Sequence, residues 1–162
     1  SLKGMGDALE ISTFVSNTVG SGASASVILP AVLFLVAIFL SFSTGTSWGT
    51  FAILVPIATA MFPGADNLQM MIITVSAVLA GAVCGDHISP ISDTTVMSSA
   101  GAQSNHINHV TTQMQYAAVV AVVSFIGYVI AGFVHIWWVV LGISLILLLA
   151  VLTVIKKIAS RA

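Results

Sequence analysis

The sequence predicts an all-α integral membrane protein with a re-entrant hairpin, one discontinuous transmembrane helix and two spanning helices. The 162 residues are 58% hydrophobic and only 6% charged, and their mean hydropathy is +1.12. A soluble domain usually carries about 25% charged residues, so four Lys/Arg and five Asp/Glu residues are too few to cover a globule. Polar stretches also interrupt long apolar segments of the kind that cross bilayers.

Charge and cysteine content exclude several classes of protein. The net charge is −1 and Lys and Arg form no basic stripe, so nucleic acid is not an expected partner. The single cysteine, Cys84, cannot form an intrachain disulfide, which gives no sign of an oxidising compartment. The chain begins at Ser1 without a signal-peptide pattern. We therefore expect the C-terminal part of a longer protein.

The first predicted elements are a lead-in over residues 1–25 and a membrane domain over 26–162. Loosely spaced apolar side chains and a Gly/Ser stretch make the lead-in a short amphipathic piece followed by a loop. The membrane domain opens with the hairpin, residues 26–62. Its first apolar arm, residues 27–42, would reach about 24 Å, which is less than the roughly 30 Å of a hydrocarbon core.

The second arm of the hairpin, residues 51–62, is shorter still, and the polar tip STGTSWGT (43–50) separates the two arms. A turn, PGADN (63–67), follows. Non-helical backbone at membrane depth is tolerated only beside protein or a water-filled cavity. The tip is therefore predicted to face protein or substrate rather than lipid.

The discontinuous helix is predicted over residues 68–104. Its polar centre contains Pro90, which lacks a backbone donor and disfavours the helical conformation at Ser89. We predict that the helix unwinds around residues 86–93 and resumes near Thr94.

Two spanning helices complete the domain, over residues 113–134 and 137–155, and both are long enough to cross a bilayer. Trp137 and Trp138 stand where an aromatic belt is expected. The basic residues at the other end predict a cytoplasmic C-terminus: Lys156, Lys157 and Arg161. The expected location is the cytoplasmic membrane, crossed several times, with the lipid bilayer as partner.

Asp86 and Asp93 lie between apolar segments, where a carboxylate costs at least about 2.5–3.5 kcal/mol. Such a cost indicates a cavity lined by both carboxylates, with oxygen ligands for a hard cation. We favour Asp93 as the ion carboxylate because hydroxyl groups crowd it, and Asp86 is the second choice. The hydroxyl-bearing neighbours are Ser89, Ser92, Thr94 and Thr95. The alternative is an ordinary aqueous loop, in which two aspartates cost nothing.

The polar tip is the second candidate site. Gly45 and Gly49 permit backbone conformations that expose amides and carbonyls, and Trp48 is a candidate gate. The hydroxyl groups of the tip belong to Ser43, Thr44, Thr46, Ser47 and Thr50. The alternative is a plain surface turn with Trp48 in an aromatic belt.

The histidines do not predict a transition-metal site. His106 and His109 have H-x-x-H spacing, but no third ligand or glutamate accompanies them. His87 is a candidate for pH tuning, or simply a polar residue that lines a pathway. Gly81 and Gly85 form a G-x-x-x-G pattern that predicts close helix packing.

Two strings resemble the NhaC-type sodium/proton antiporter family: TGTSWGTFAILVPIA (44–58) and GDHISPISDTTVMSSAGAQSNHINHVTTQMQYA (85–117). Its superfamily also contains dicarboxylate and lactate carriers. The resemblance implies two inverted repeats, each with a re-entrant hairpin and a broken helix, of which this chain is the second. It also implies Na+ binding, with Pro90 at the helix break, by Thr44, Gly45, Thr46, Ser47, Gly49, Thr50, Asp86, Ser89, Ser92, Asp93, Thr94 and Thr95.

The predicted function is exchange of Na+ for H+ without a cofactor and without enzymatic activity. Burial raises the pKa of a carboxylate because the charged form loses water, so a carboxylate holds a proton that Na+ can displace. The missing N-terminal repeat is an expected partner, and a homodimer is left open. Three alternatives stay open: an organic-anion antiporter of the malate/lactate type, an intramembrane enzyme and a non-transporting membrane subunit.

Overall fold

The computed structural model describes residues 23–62 and 67–160, and this part of the chain is all-helical, as predicted. Its six helices are α1 (Ala23–Thr44), α2 (Ser47–Met61), α3 (Leu68–Ile88), α4 (Asp93–Gly101), α5 (His106–Phe133) and α6 (Trp137–Ala159). Residues 1–22 of the predicted lead-in, residues 63–66 of the predicted turn and the predicted anchor Arg161 lie outside the described residues, so those predictions remain predictions. Residues 23–25, predicted as the end of the lead-in, belong instead to α1.

Helix α1 is longer than the apolar arm that the sequence suggests. It has 22 residues and rises about 33 Å, enough to cross a bilayer core. Its polar end is still helical, and the hydroxyls of Ser43 and Thr44 donate there to carbonyls one turn back, at 2.8 and 2.9 Å. These bonds satisfy the hydroxyl groups within the helix.

Helix α2 also takes in residues that the sequence assigns to the polar tip. Thr46 is its N-cap, and its side-chain oxygen accepts a hydrogen bond from the Gly49 N–H at 3.5 Å. Residues 47–50 therefore form the first turn of α2. The non-helical tip shrinks to Gly45 and Thr46.

The discontinuity between α3 and α4 is a short one, residues 89–92, and Pro90 lies within it. Asp86 stays in the last turn of α3 and Asp93 begins α4, so less backbone unwinds than the sequence suggests. Helix α5 begins at His106, seven residues before the predicted boundary, because the Asn105 side chain caps it by accepting from the Asn108 N–H at 3.1 Å.

Helices α1 and α3 run side by side in the same direction and form the centre of the fold. Gly81 and Gly85 lie so close to α1 that an added Cβ would collide with the carbonyls of Phe34 and Ile38, respectively. This contact confirms the close packing predicted from the G-x-x-x-G pattern. Helices α2 and α5 flank this pair, and α6 packs on α5. The buried apolar core consists of Leu29, Leu33, Ala37, Leu54, Ala58, Phe62, Val78 and Ala82.

Within residues 23–62 and 67–160, four helices are long and apolar enough to cross a membrane: α1, α3, α5 and α6. The most apolar span, within α6, has a mean hydropathy of 2.9 and buries none of its residues inside the described fold. Exposed apolar surface of this extent fits a lipid environment. The chain is therefore a multi-pass membrane protein.

Candidate functional site

Four helix ends meet at one point of the fold. The polar residues of two helix breaks, residues 45–46 and 89–92, lie together there. The C-terminal ends of α1 and α3 join there with the N-terminal ends of α2 and α4. The Ser89 hydroxyl donates to the Phe42 carbonyl at 2.8 Å, and the Ser47 hydroxyl donates to Asp86 at 3.2 Å. Helix ends leave backbone groups without intrahelical partners, so they can recruit side chains and ligands.

Asp86 lies at the centre of this junction and is only 5% exposed. Its Oδ1 accepts from the Ser92 hydroxyl at 2.7 Å, and its Oδ2 accepts from the Ser47 hydroxyl at 3.2 Å. An ionised carboxylate has about four acceptor sites, so these two bonds leave room for another partner. The chain has no Lys or Arg between residues 4 and 155. Asp86 is thus a buried acid held by neutral donors, with capacity for a cation.

The Ser92 and Thr94 hydroxyls form a directed chain toward Asp86. Ser92 is fully buried, and its one hydroxyl hydrogen is donated to Asp86 Oδ1. The hydroxyl oxygens of Ser92 and Thr94 lie 2.8 Å apart, so Thr94 must be the donor of that bond. Thr94 is exposed. The chain therefore links the buried carboxylate to the molecular surface.

Ser89 and Thr95 stabilise the backbone of the break. The Ser89 N–H donates to the Asp86 carbonyl at 3.2 Å. The buried Thr95 hydroxyl lies 3.4 Å from the Asp86 carbonyl and 3.2 Å from the His87 carbonyl. These contacts fix the end of α3, and with it the position of Asp86.

Among the predicted tip residues, only Ser47 hydrogen-bonds to Asp86. Gly45 has a φ of +68°, and an added Cβ would lie 2.9 Å from the Ile91 carbonyl oxygen. Glycine adopts this conformation without steric cost and allows the two breaks to touch. The other tip residues make local contacts within their own helices and caps: Thr44, Thr46, Gly49 and Thr50.

Asp93 occupies a different position from Asp86. It is exposed in the first turn of α4, and its Oδ1 accepts from the Thr94 N–H at 2.8 Å. A carboxylate is favourable there because of the helix dipole. Among the described residues, no side-chain hydroxyl donates to the Asp93 carboxylate, and its one hydrogen bond is the local one from the Thr94 N–H. Its role as an ion carboxylate remains a prediction.

Two other predicted residues also lie apart from the carboxylate. The His87 Nδ1 donates to the Val83 carbonyl at 3.0 Å rather than to Asp86. Trp48 is 80% exposed and packs edge-to-face on Phe51, with ring centroids 5.8 Å apart. In this arrangement the indole does not plug the junction.

His106 is a contact that sequence reasoning missed. Its Nε2 donates to the Pro90 carbonyl at 2.7 Å, and its Nδ1 lies 3.0 Å from the Ser99 hydroxyl. The first turn of α5 therefore also holds the break between α3 and α4. The H-x-x-H spacing singled out this histidine but did not indicate its partner, which lies 16 residues earlier.

Ser41 is a second residue that sequence reasoning missed, because it stands inside an apolar segment. Its side chain is fully buried, and its hydroxyl has no hydrogen-bond partner among the described residues. The Ser41 carbonyl accepts from the Gly45 N–H at 2.8 Å, so the residue lies one turn before the tip. Buried hydroxyls without partners are rare in native proteins.

Comparison with known proteins gives a consistent result. Residues 1–133 match the model of the Na+/H+ antiporter family. An uncharacterized protein from Haemophilus influenzae is 49% identical over 80% of this chain. An uncharacterized Na(+)/H(+) antiporter from the same organism is 36% identical over 65% of the chain. A malate-2H(+)/Na(+)-lactate antiporter from Bacillus subtilis is 32% identical over 68%.

These relatives are much longer than the chain described here. The chain covers 25% of the first relative and 23% of each of the two antiporters, or about a quarter of their length. No solved structure matches it. Because the family match covers most of the sequence, including both helix breaks, the chain belongs to the Na+/H+ antiporter family.

Proposed function

We propose that the full-length protein exchanges Na+ for H+ across the cytoplasmic membrane, and that the two cations compete for Asp86. The observation that carries this proposal is the buried Asp86 carboxylate, which is held by two hydroxyls at the meeting point of four helix ends. Family membership supports cation/proton exchange over enzymatic activity.

Competition at one carboxylate can couple the two ions. The Ser47 and Ser92 oxygens keep lone pairs after donating to Asp86, so they can join the carboxylate in coordinating Na+. A proton neutralises the same carboxylate and removes its attraction for Na+. An empty, ionised Asp86 is costly to enclose away from water. The occupied forms are therefore the ones that cross the membrane, which makes the exchange obligatory.

Alternating access requires more than this segment. We propose that the missing N-terminal repeat supplies further ligands and an inverted partner for the α1–α4 junction. Helix α2 has 15 residues and reaches only about 22 Å, which supports a re-entrant return within the membrane. Lys156 and Lys157 near the end of α6 support a cytoplasmic C-terminus. A homodimer in the bilayer is compatible with this arrangement.

Exchange of organic anions is a second candidate function. The N-terminal ends of α2 and α4 converge, and helix N-termini favour anions. One relative is named a malate/lactate antiporter. Against this candidate, Asp86 already occupies the space beside both helix N-termini, and no Lys or Arg lies between residues 4 and 155.

The test is flux through the full-length protein in proteoliposomes, measured as Na+-driven proton movement and as radioactive Na+ exchange. Asparagine can neither release a proton nor neutralise Na+, so Asp86→Asn should lower both fluxes at least about 100-fold. Asp93→Asn should lower both fluxes about tenfold less than Asp86→Asn does, because the Ser47 and Ser92 hydroxyls donate to Asp86 and not to Asp93.

Three outcomes would contradict the proposal. Full exchange by Asp86→Asn would remove the carboxylate from the mechanism. A larger loss in Asp93→Asn would transfer the role to that residue. Uptake of malate or lactate by the wild-type protein, with no Na+-driven proton movement, would favour the organic-anion candidate.

A further inference from the structure

A polar cavity of about 350 Å³ lies beside Asp86, between the end of α3, helix α4 and the first turns of α5. Every side chain in its wall carries a hydrogen-bonding group, among them His87, Thr94, Ser98, His109, Thr112 and Gln113. The larger cavity between α3, α5 and α6, about 630 Å³, is instead lined mainly by aliphatic and aromatic side chains. The two cavities therefore suit different contents.

The smaller cavity is suited to water. Its volume is large enough for several water molecules, since one water needs only about 10–15 Å³ of such space. Polar groups in a membrane protein avoid lipid, because hydrocarbon cannot satisfy their hydrogen bonds. A wall of hydroxyl, amide and imidazole groups can satisfy the waters and be satisfied by them.

The cavity also connects to the buried carboxylate. Thr94 lies in its wall, and the Thr94 hydroxyl donates to Ser92, which donates to Asp86 Oδ1. Thr95 lies in the same wall and lies 3.4 Å from the Asp86 carbonyl. The Thr94 and Ser92 hydroxyls thus link the wall of the cavity to the carboxylate.

We propose that this polar cavity is a hydrated vestibule through which Na+ and protons reach Asp86. The inference rests on the proposed function, because it takes Asp86 as the exchange site. No Lys or Arg lies in the wall, so no permanent positive charge repels an entering cation; the titratable groups there are His87, His109 and Tyr116. The vestibule opens on the side of the membrane where α5 begins, which is the cytoplasmic side in the predicted orientation.

Thiol labelling of the full-length protein tests the vestibule. Gln113→Cys is made after Cys84 and any other native cysteine are replaced by serine, and a charged, membrane-impermeant thiol reagent is applied from each side. We expect Gln113→Cys to react from one side only. After labelling, its exchange rate should be at least tenfold lower than that of the same variant before labelling. Ala118→Cys is the matched control. It lies on the opposite face of the spanning helix α5, outside the cavity, where a charged reagent would have to enter the membrane to reach it, so it should not react.

Ser98→Cys provides a second position, on α4, in case Gln113→Cys does not fold. The proposal is overturned if the folded variants resist the reagent, or if they react without losing exchange. Exchange by the unlabelled wild-type protein measures the proposed function alone. A failure of that function is therefore separable from a failure of the vestibule, which appears only when a folded variant is labelled.

Discussion

The junction where α1–α4 meet and the helix α6 place their polar and apolar side chains in opposite ways. The most apolar span, in α6, packs on α5 but buries none of its residues inside the described fold, so most of its apolar side chains stay exposed. The junction instead buries polar side chains where four helices end, with Asp86, Ser89, Ser92 and Thr95 all at most 5% exposed. A continuous helix satisfies its own backbone, whereas helix ends need outside partners. Buried hydrogen-bonding side chains are therefore concentrated at the helix ends.

The two regions also use glycine differently, and this difference gives the largest expected effect. Gly85 lies against the Ile38 carbonyl of α1, whereas Gly142 of α6 has nothing near the position of an added Cβ. Gly85→Ala would push α3 away from α1 beside Asp86, at a cost of about 1–3 kcal/mol for overpacking. We expect exchange to fall by up to about 100-fold and the melting temperature to drop, as measured by flux and by thermal unfolding in detergent.

Gly142→Ala is the matched control for this prediction. The added methyl group meets open space, and alanine is the better helix former by about 1 kcal/mol, so stability should be unchanged or higher. Equal effects of the two substitutions would contradict the contrast between a tightly packed junction and a freely exposed helix.

The sequence predicted the helical fold and both interruptions, because Pro90 and the polar tip are local signals. It predicted the helix bounds less well. Ser43 and Thr44 bond to carbonyls of their own helix, and Asn105 caps α5, so polar residues that resemble loops belong to helices or their caps. These hydrogen bonds satisfy polar groups within the helix, an outcome that composition alone does not reveal.

The arrangement of the site was harder to predict than its members. The hydroxyl residues next to Asp93 in the sequence made it the favoured carboxylate. In the structure, the Ser47 and Ser92 hydroxyls donate to the Asp86 carboxylate, and these residues are 39 and 6 positions away from Asp86. Such contacts depend on the approach of α1 and α3 and on the direction of each break. The partner of His106 was hidden for the same reason.

A smaller effect is expected when one donor is removed from the carboxylate. Ser92→Ala removes the 2.7 Å hydrogen bond to Asp86 and interrupts the series of hydrogen bonds that runs from Thr94 through Ser92 to Asp86. A hydrogen bond to a charged group contributes about 1.5–3 kcal/mol, so the Na+ concentration for half-maximal exchange should rise about tenfold or more. Concentration-dependent Na+ flux measures the change.

The matched control is Ser76→Ala, which removes an exposed hydroxyl that donates only to the Ile73 carbonyl within α3. Its Na+ dependence should equal that of the wild-type protein. If Ser92→Ala also kept the wild-type Na+ dependence, the bond would serve only to hold the helix break.

The smallest effect is expected at Ser41, where the polar group has no partner to lose. Its buried hydroxyl makes no hydrogen bond among the described residues, so Ser41→Ala should leave stability unchanged or raise it by up to about 1 kcal/mol. The melting temperature in detergent, measured with and without Na+, tests this expectation. A selective loss of the stabilisation that Na+ gives would contradict it and would assign the hydroxyl to the ion site. Ser41 is one turn before Gly45, so the result fixes how far ion chemistry extends into the long helix α1.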